Sequence, residues 1–384
     1  MSSFDVAIVG GGAIGAAIAC ELAAEDLRVV VVDRQQPGLE ASWAAAGMLS
    51  PAPDSPRDIP LVPLGLESLR LYPNFVAGIE EDCGKSVSYA RDGAIEILLA
   101  PHGETERDQK VAEYRLLGVA AEAISPEAAR EREKFCGAAA QAALWLPEEG
   151  SVEPRLLIGA LLDAARNRGV TIRGGSRVSG LVYEKNRCAG VTAGGEKIAA
   201  GQVVVAAGCF SAQFAESDPR LARLMPTRPV RGQMIALRPE GFALGRVLRS
   251  ERGYLVPRRD GRVVAGSTKE EAGFEKRVTA GGIRKVLDAA IELCPALAGA
   301  EIAETWSGLR PGTPDDLPIL GPCDVEGLLI ATGHYRNGIL LTPVTAKLIC
   351  DWIVHGRTFF EAFDAEAFSP LRFGRAESSR TQTA

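Results

Sequence analysis

The sequence predicts an α/β protein in which a parallel, nucleotide-binding layer is interleaved along the chain with a second domain built on an antiparallel sheet. Three observations predict it. A strand, a glycine turn and a helix follow one another at the N-terminus, the pattern breaks off after Asp33, and two further fully apolar runs appear much later, at 202–207 and 328–332. Runs without polar alternation suit strands that are covered on both faces, as in parallel sheets.

At 384 residues the chain exceeds what one hydrophobic core ordinarily organises, so two or three domains are expected. Apolar residues at 46% and charged residues at 24% give the balance of a globular enzyme rather than a disordered or fibrous chain. The net charge is -6, with basic residues scattered among acidic ones, which excludes the footprint of a nucleic-acid binder and favours a small-molecule partner. No basic region precedes the first apolar stretch and no apolar run is long enough for a bilayer, so neither a secretory leader nor a membrane span is expected. The eight cysteines are widely spaced without a CxxC pair and read as reduced thiols in a cytoplasmic protein. His102, His334 and His355 lie far apart, which argues against a histidine metal site.

Along the chain, residues 5–9 form an apolar strand, and residues 13–24 then adopt helical spacing with Ile14, Ile18 and Leu22 on one face. The run 29–32 ends at Asp33 and completes a βαβ unit. Residues 42–48 are small and compact, and the proline-rich stretch 51–63 is expected to be an irregular loop. Helices are predicted at 64–80, 104–117 and 155–168, and a strand at 93–99. Strands at 233–237, 253–257 and 262–266 carry turn signals between them, the last two joined across Arg259-Asp260-Gly261 as a hairpin. The polar tail after Phe373 is expected to be loose.

Gly10-Gly11-Gly12-Ala13-Ile14-Gly15 satisfies GxGxxG directly after a strand and at the opening of a helix. Gly10 permits the tight turn, Gly12 lets a pyrophosphate approach the backbone, and Gly15 lets helix and strand pack closely. Ala13 and Ile14 open the helix whose N–H groups face the anion. Asp33 is placed to accept hydrogen bonds from ribose hydroxyls and to repel a 2′-phosphate, leaving FAD or NAD. A nicotinamide domain would continue its alternation of strands and helices after Asp33; this chain does not, which favours FAD.

The fingerprint at 10–15, the segment 42–48, Val152-Glu153-Pro154, Tyr254-Leu255-Val256-Pro257-Arg258, the run from Trp306 to Thr313 and the run from Gly333 to Leu341 together resemble the D-amino-acid oxidase superfamily. The similarity is greatest to its glycine oxidase branch, associated with thiamine biosynthesis, and covers nearly the whole chain. It implies a glutathione-reductase-type FAD-binding domain from residues 1–80, 146–228 and 305–370, an interleaved substrate domain from 81–145 and 229–304, and a loose tail at 371–384. It places Ala45, Ala46, Gly47 and Met48 beside the isoalloxazine, Val178 near the adenine, and Arg336, Asn337, Gly338, Ile339 and Leu340 along the pyrimidine edge. Arg34, Ser42, Ala207, Gly208 and His334 complete the expected FAD contacts. Gly308 stands where related sarcosine oxidases carry a cysteine linked to the flavin, so non-covalent FAD is expected.

Oxidation at an amino-acid α-carbon needs the carboxylate held still, and a planar guanidinium with a tyrosine hydroxyl beside it does so well. Arg310, ahead of the rigid Pro311-Gly312 turn, is the candidate clamp and Tyr254 the second donor. The resemblance assigns the same roles, puts Arg336 close to substrate and flavin, and adds Met48 and Lys269 to the substrate pocket. Lys269 replaces a methionine of the glycine oxidase pocket and Arg252 replaces a histidine. The expected reaction is oxidative deamination of glycine or a closely related small amino acid, with dioxygen as acceptor and peroxide, ammonia and a 2-oxo acid as products. The alternatives are an oxidase of N-substituted glycines and a D-amino-acid dehydrogenase using another acceptor. Self-association is expected from the resemblance alone.

Overall fold

The computed structural model describes residues 4–99, 103–137 and 140–374; His102 and the tail beyond residue 374 lie outside it. Two eight-stranded sheets organise these residues. The first runs Ile319–Pro322, Leu328–Thr332, Glu196–Val205, Phe4–Val9, Val29–Val32 and Thr171–Arg173 across its width, with the hairpin Val178–Glu184 and Arg187–Ala193 attached to Glu196–Val205. Its inner pairings are parallel; the edge strand Ile319–Pro322 and the hairpin run antiparallel.

The two-residue period of a strand sends alternate side chains to opposite faces. Val6, Ile8, Val29, Val31 and Val204 join the core beneath the helices Ala13–Ala24, Val62–Cys83, Pro154–Asn167 and Thr342–His355. Ala7, Val9, Val30, Val32, Val203 and Val205 join the opposite core, under the hairpin. Both faces are dry, which is why these strands read as unbroken apolar runs. The alanine-rich helix Ala13–Ala24 lies close to the sheet, and at Gly15 an added Cβ would come within 1.9 Å of the Gly10 carbonyl oxygen.

The second sheet has the order Glu301–Gly312, Arg228–Arg238, Val263–Gly266, Gly253–Pro257, Val247–Ser250, Ala94–Leu98, Ala142–Leu146 and Glu122–Ile124. It is antiparallel except where Val247–Ser250 meets Ala94–Leu98 in parallel. The expected hairpin across Arg259-Asp260-Gly261 is present, closed by Arg258 N–H on the Arg262 carbonyl at 2.8 Å. One face packs on the helix Ala280–Leu293. The other carries Met234, Val256 and Trp306 together with Ala44 and Ala46 of the small-residue segment.

Three local expectations need correction. The stretch 51–63 is not irregular throughout: Pro56–Leu61 is a 3-10 helix that runs into the helix Val62–Cys83, and Pro63 sits in the first turn, where its missing N–H costs nothing. The strand expected at 233–237 extends over Arg228–Arg238. The turn expected at Pro311-Gly312 is instead the end of a long strand, Glu301–Gly312, that pairs with Arg228–Arg238 from Arg238↔Glu301 to Arg228↔Gly312, placing Pro229 opposite Pro311. Prolines and glycines in both segments hide the strand pattern.

The segment bearing Ala44 is tied to the second sheet by two contacts. The Trp306 indole N–H donates to the Ala44 carbonyl at 3.0 Å, and Arg155 lies 3.6 Å from the Trp43 ring centroid while gripping Glu304 through two bonds of 2.9 Å. Close packing at the helix start leads to a prediction. Gly15→Ala forces the helix off the Gly10 turn and should cost about 1–3 kcal/mol of stability by overpacking, read as a lower denaturant midpoint at unchanged slope.

Candidate active site

The glycine turn is held open by geometry that other residues resist. Gly10 sits at φ +104, donates its N–H to the Val32 carbonyl at 2.9 Å, and would push an added Cβ to 2.4 Å from the Ala206 carbonyl oxygen. Gly12 caps the helix, and the Ala13 N–H donates to the Ser42 hydroxyl at 3.0 Å. The Asp33 carboxylate accepts from the N–H groups of Gly11 at 2.8 Å and Gln35 at 3.0 Å, so backbone sets its position at the end of the second strand. A cavity runs past Gly10, Gly12, Asp33, Arg34, Val178 and Ala207. Arg34 closes one side, stacked 3.5 Å from the Phe210 ring centroid and paired with Glu40. Gly208 stands behind this wall at φ +56, its carbonyl accepting the Thr332 hydroxyl at 3.0 Å. A bare backbone turn, a helix N-terminus and a fixed carboxylate fit the adenosine and pyrophosphate portion of FAD.

Ser42 and Leu309 also line a second cavity, so the two adjoin, and the second one reaches Arg310. Ile14, Ala45, Ala46, Gly47 and Met48 line one side of this second cavity, and Gly308, His334, Arg336, Asn337, Gly338 and Ile339 line the rest. Gly47 requires its φ of +79 and would drive an added Cβ to 2.0 Å from the Val152 carbonyl oxygen. At Gly308 an added Cβ would meet the Ala44 Cβ at 2.5 Å, so this position has no room for a side chain such as cysteine. A cleft walled by small residues suits a flat ring system. Leu340 lies just outside it, buried, with its carbonyl accepting the Ser68 hydroxyl at 2.6 Å. Gly15 lines neither cavity; its place is in the packing of helix on strand.

His334 is buried, its Nε2 is 3.0 Å from the Thr345 hydroxyl, and burial pulls its pKa down to about 3. It is therefore neutral and tied into the fold rather than poised to take a proton.

Arg310 lies across the neighbouring strand over Gly232, where an added Cβ would meet the guanidinium at 2.2 Å. The guanidinium donates to the Thr268 carbonyl at 3.1 Å and to the Ser267 hydroxyl. Among the described residues no carboxylate pairs with it, and burial lowers its pKa from the ordinary arginine value. Tyr254 lines the same cavity, and its hydroxyl lies 3.5 Å from the Met234 sulfur. Arg336 also lines it and is paired with Asp54 at 2.7 Å. Lys269 is exposed at the rim, its ammonium 5.4 Å from the Tyr335 ring centroid, and does not line the cavity. Arg252 is further out, paired with Glu292 at 2.7 Å on the surface.

Sequence reasoning missed several residues here. Asp54 sits in the proline-rich stretch, where an acid flanked by prolines was the available signal. Ser267 and Thr268 directly follow the strand Val263–Gly266 and carry no sequence signal of their own. Arg249 also lines the cavity. It is buried with Glu96 and Glu149, donating to Glu96 at 2.7 and 3.2 Å and standing 3.5 Å from Glu149. Lys110 adds a bond to Glu96 at 2.6 Å, and Ser50 one to Glu149 at 2.6 Å.

The two acids respond in opposite directions. Burial would raise Glu96, but Arg249 and Lys110 outweigh it and bring its pKa down to about 2. Burial dominates at Glu149 and pushes it up to about 7 against the pull of Arg249. A carboxyl raised in the folded state binds a proton that the unfolded chain has released. Its contribution is therefore full below about 4.5 and is lost as pH rises through about 7. Between pH 5 and 8 the parent should lose of the order of 2–3 kcal/mol of stability relative to Glu149→Gln. Thermal or denaturant unfolding across that range checks it; parallel pH profiles would refute it.

Comparison with known proteins adds the following. A profile described as DAO, FAD dependent oxidoreductase, matches residues 5–352. The bifunctional protein ThiO/ThiG of Synechocystis is 37% identical over 384 aligned residues, covering 96% of this chain and 54% of that protein, so the chain spans about half the length of that relative. Glycine oxidase of Geobacillus kaustophilus is 34% identical, with 96% of this chain and 97% of the enzyme covered. A crystal structure of glycine oxidase from Geobacillus kaustophilus superposes with a TM-score of 0.90 at 33% identity, covering 97% and 99% of the two chains. Iminodiacetate oxidase from Chelativorans superposes with a TM-score of 0.82 at 27% identity, covering 95% and 98%.

Proposed function

Because this chain belongs to the DAO family of FAD-dependent oxidoreductases, on its glycine oxidase branch, we propose that it oxidatively deaminates glycine or a closely related small amino acid. The observation that carries this reading is Arg310. A guanidinium drawn out of solvent, met by a carbonyl and by neutral hydroxyls but by no carboxylate among the described residues, and facing a cavity walled by small residues, calls for an anionic ligand.

When bound, FAD would supply the two-electron oxidant for the substrate α-carbon, with dioxygen as the final acceptor and peroxide as its product. The turn at Gly10 and Gly12, the helix start at Ala13 and Ile14, and Asp33 would hold its adenosine and pyrophosphate. Non-covalent retention is supported by the crowding at Gly308. Ala45, Ala46, Gly47 and Met48 would flank its ring system, with backbone at 336–340 along the opposite edge.

Arg310 fixes the substrate carboxylate through its two-pronged fork, and Tyr254 adds a third donor beside it. Arg336, tethered by Asp54 at 2.7 Å, guards the approach from the proline-rich stretch. The amine reacts as the neutral base, so its own lone pair drives out the hydride and no side chain need remove a proton from carbon. That agrees with a neutral, hydrogen-bonded His334. The imine so formed hydrolyses to ammonia and glyoxylate, or to the corresponding 2-oxo acid. The work of the protein is positioning and charge placement.

A second reading is favoured by a specific feature: Lys269 puts a cation at the rim, 5.4 Å over the Tyr335 ring, where an acidic substituent on the substrate nitrogen would reach it. N-carboxymethyl amines are therefore the leading alternative, in keeping with the Chelativorans neighbour.

An anaerobic panel of glycine, sarcosine, iminodiacetate and small D-amino acids, scored by bleaching of the flavin, separates these readings. Small amino acids bleaching fastest supports the first; iminodiacetate outrunning glycine supports the second; no bleaching by any member contradicts both. Arg310→Ala should lose about 2–5 kcal/mol of carboxylate binding, seen as a steep rise in KM for whichever substrate reduces the parent. Turnover equal to the parent would show that the clamp lies elsewhere.

A further inference from the structure

Tyr335 is the residue of this cavity that neither the proposed chemistry nor the fold accounts for. It is only 7% exposed, and its hydroxyl oxygen is buried without a hydrogen-bond partner in the protein. A buried hydroxyl left unpaired is costly and rare in folded proteins, so its presence asks for a partner that arrives later. Its backbone is at φ +47, an uncommon conformation for a bulky residue and one that concentrates at functional sites.

The surroundings say what that partner is. Tyr335 lines the cavity shared by Arg310 and Tyr254. Its N–H donates at 3.0 Å to the carbonyl of Pro311, the residue after Arg310. Its ring lies under Lys269, the residue after Thr268, whose carbonyl holds the Arg310 guanidinium. The two segments that fix the guanidinium thus also fix the phenol, and the phenol contributes to the electrostatic environment of Arg310.

We infer that the Tyr335 hydroxyl is a further substrate contact, the last donor to the carboxylate held by Arg310, and so a determinant of selectivity for carboxylic acids. An ionised carboxylate offers about four acceptor positions. The Arg310 fork fills two and Tyr254 a third; Tyr335 supplies the fourth. A site whose buried donors are satisfied only by the correct ligand discriminates strongly against analogues that leave them unpaired. Lys269 acts as a positioning residue here, holding the ring by its charge over the π face.

This inference rests on the proposed amino-acid oxidase reading, and the test separates the two. Tyr335→Phe removes only the hydroxyl, keeping the ring and its contact with Lys269. In the FAD-loaded enzyme, the affinity of the oxidised form for glycolate is read from the perturbation of flavin absorbance, alongside FAD retention and the limiting rate of anaerobic flavin reduction. The expected result is a loss of glycolate affinity of about tenfold or more, a matching rise in KM, and FAD retention and limiting reduction rate unchanged. Glycolate affinity equal to the parent overturns the inference. So does weakened FAD retention with glycolate binding intact, which assigns the hydroxyl to the cofactor. If the parent itself binds no small carboxylate, the inference and the underlying reading fall together.

Discussion

A guanidinium removed from water must be compensated, and the proposed function turns on how Arg310 is compensated. Its charge rests on neutral oxygens, the Thr268 carbonyl and the Ser267 and Tyr254 hydroxyls, in a place where burial already disfavours the charged form. Neutral oxygens orient the fork without neutralising it. The strand pairing Arg228–Arg238 with Glu301–Gly312, the glycine at 232 over which the side chain lies, and the tie between Trp306 and Ala44 all serve to keep that fork against the small-residue cleft. An anion entering the cleft would supply the missing half of an ion pair.

The second sheet provides its own contrast. Arg249 lines the same cavity and is the more deeply buried residue, yet Glu96 and Glu149 both stand beside it, with Ser50 and Lys110 filling the remaining bonds. One buried arginine is closed off as part of the framework, while the other is left open toward the cleft. Arg336 is intermediate, paired with Asp54 at 2.7 Å where both are half exposed, so its pair is the weaker one. The difference among these three cations lies in the carboxylates around them, and it points to Arg310 as the ligand's anchor.

Much of this was legible in the sequence where the signal is local. The turn at Gly10 to Gly15, the apolar runs of the parallel sheet and the acid at the end of the second strand each announce themselves within a few residues, because sterics and burial act on neighbours. Arg310 stood out through its rigid Pro311-Gly312 continuation and the family resemblance. The long strand Glu301–Gly312 was obscured by glycines and prolines that its partner strand accommodates in register. The partners of the site's cations were not legible at all. Asp54 meets Arg336, Ser267 meets Arg310, and Glu96 meets Arg249 across 282, 43 and 153 positions of chain, which only the folded sheets bring together. Tyr335 lay inside a recognised motif but showed its character only through burial and an unpaired hydroxyl.

Arg310, on this reading, is an open cation awaiting a carboxylate. A crystal structure of the FAD-loaded protein with bound glycolate tests it most directly. Both carboxylate oxygens are expected within hydrogen-bonding distance of the Arg310 guanidinium, with the carbon bearing the hydroxyl turned toward the flavin. Glycolate seated on another cation, with Arg310 paired to a carboxylate of the protein, would contradict it.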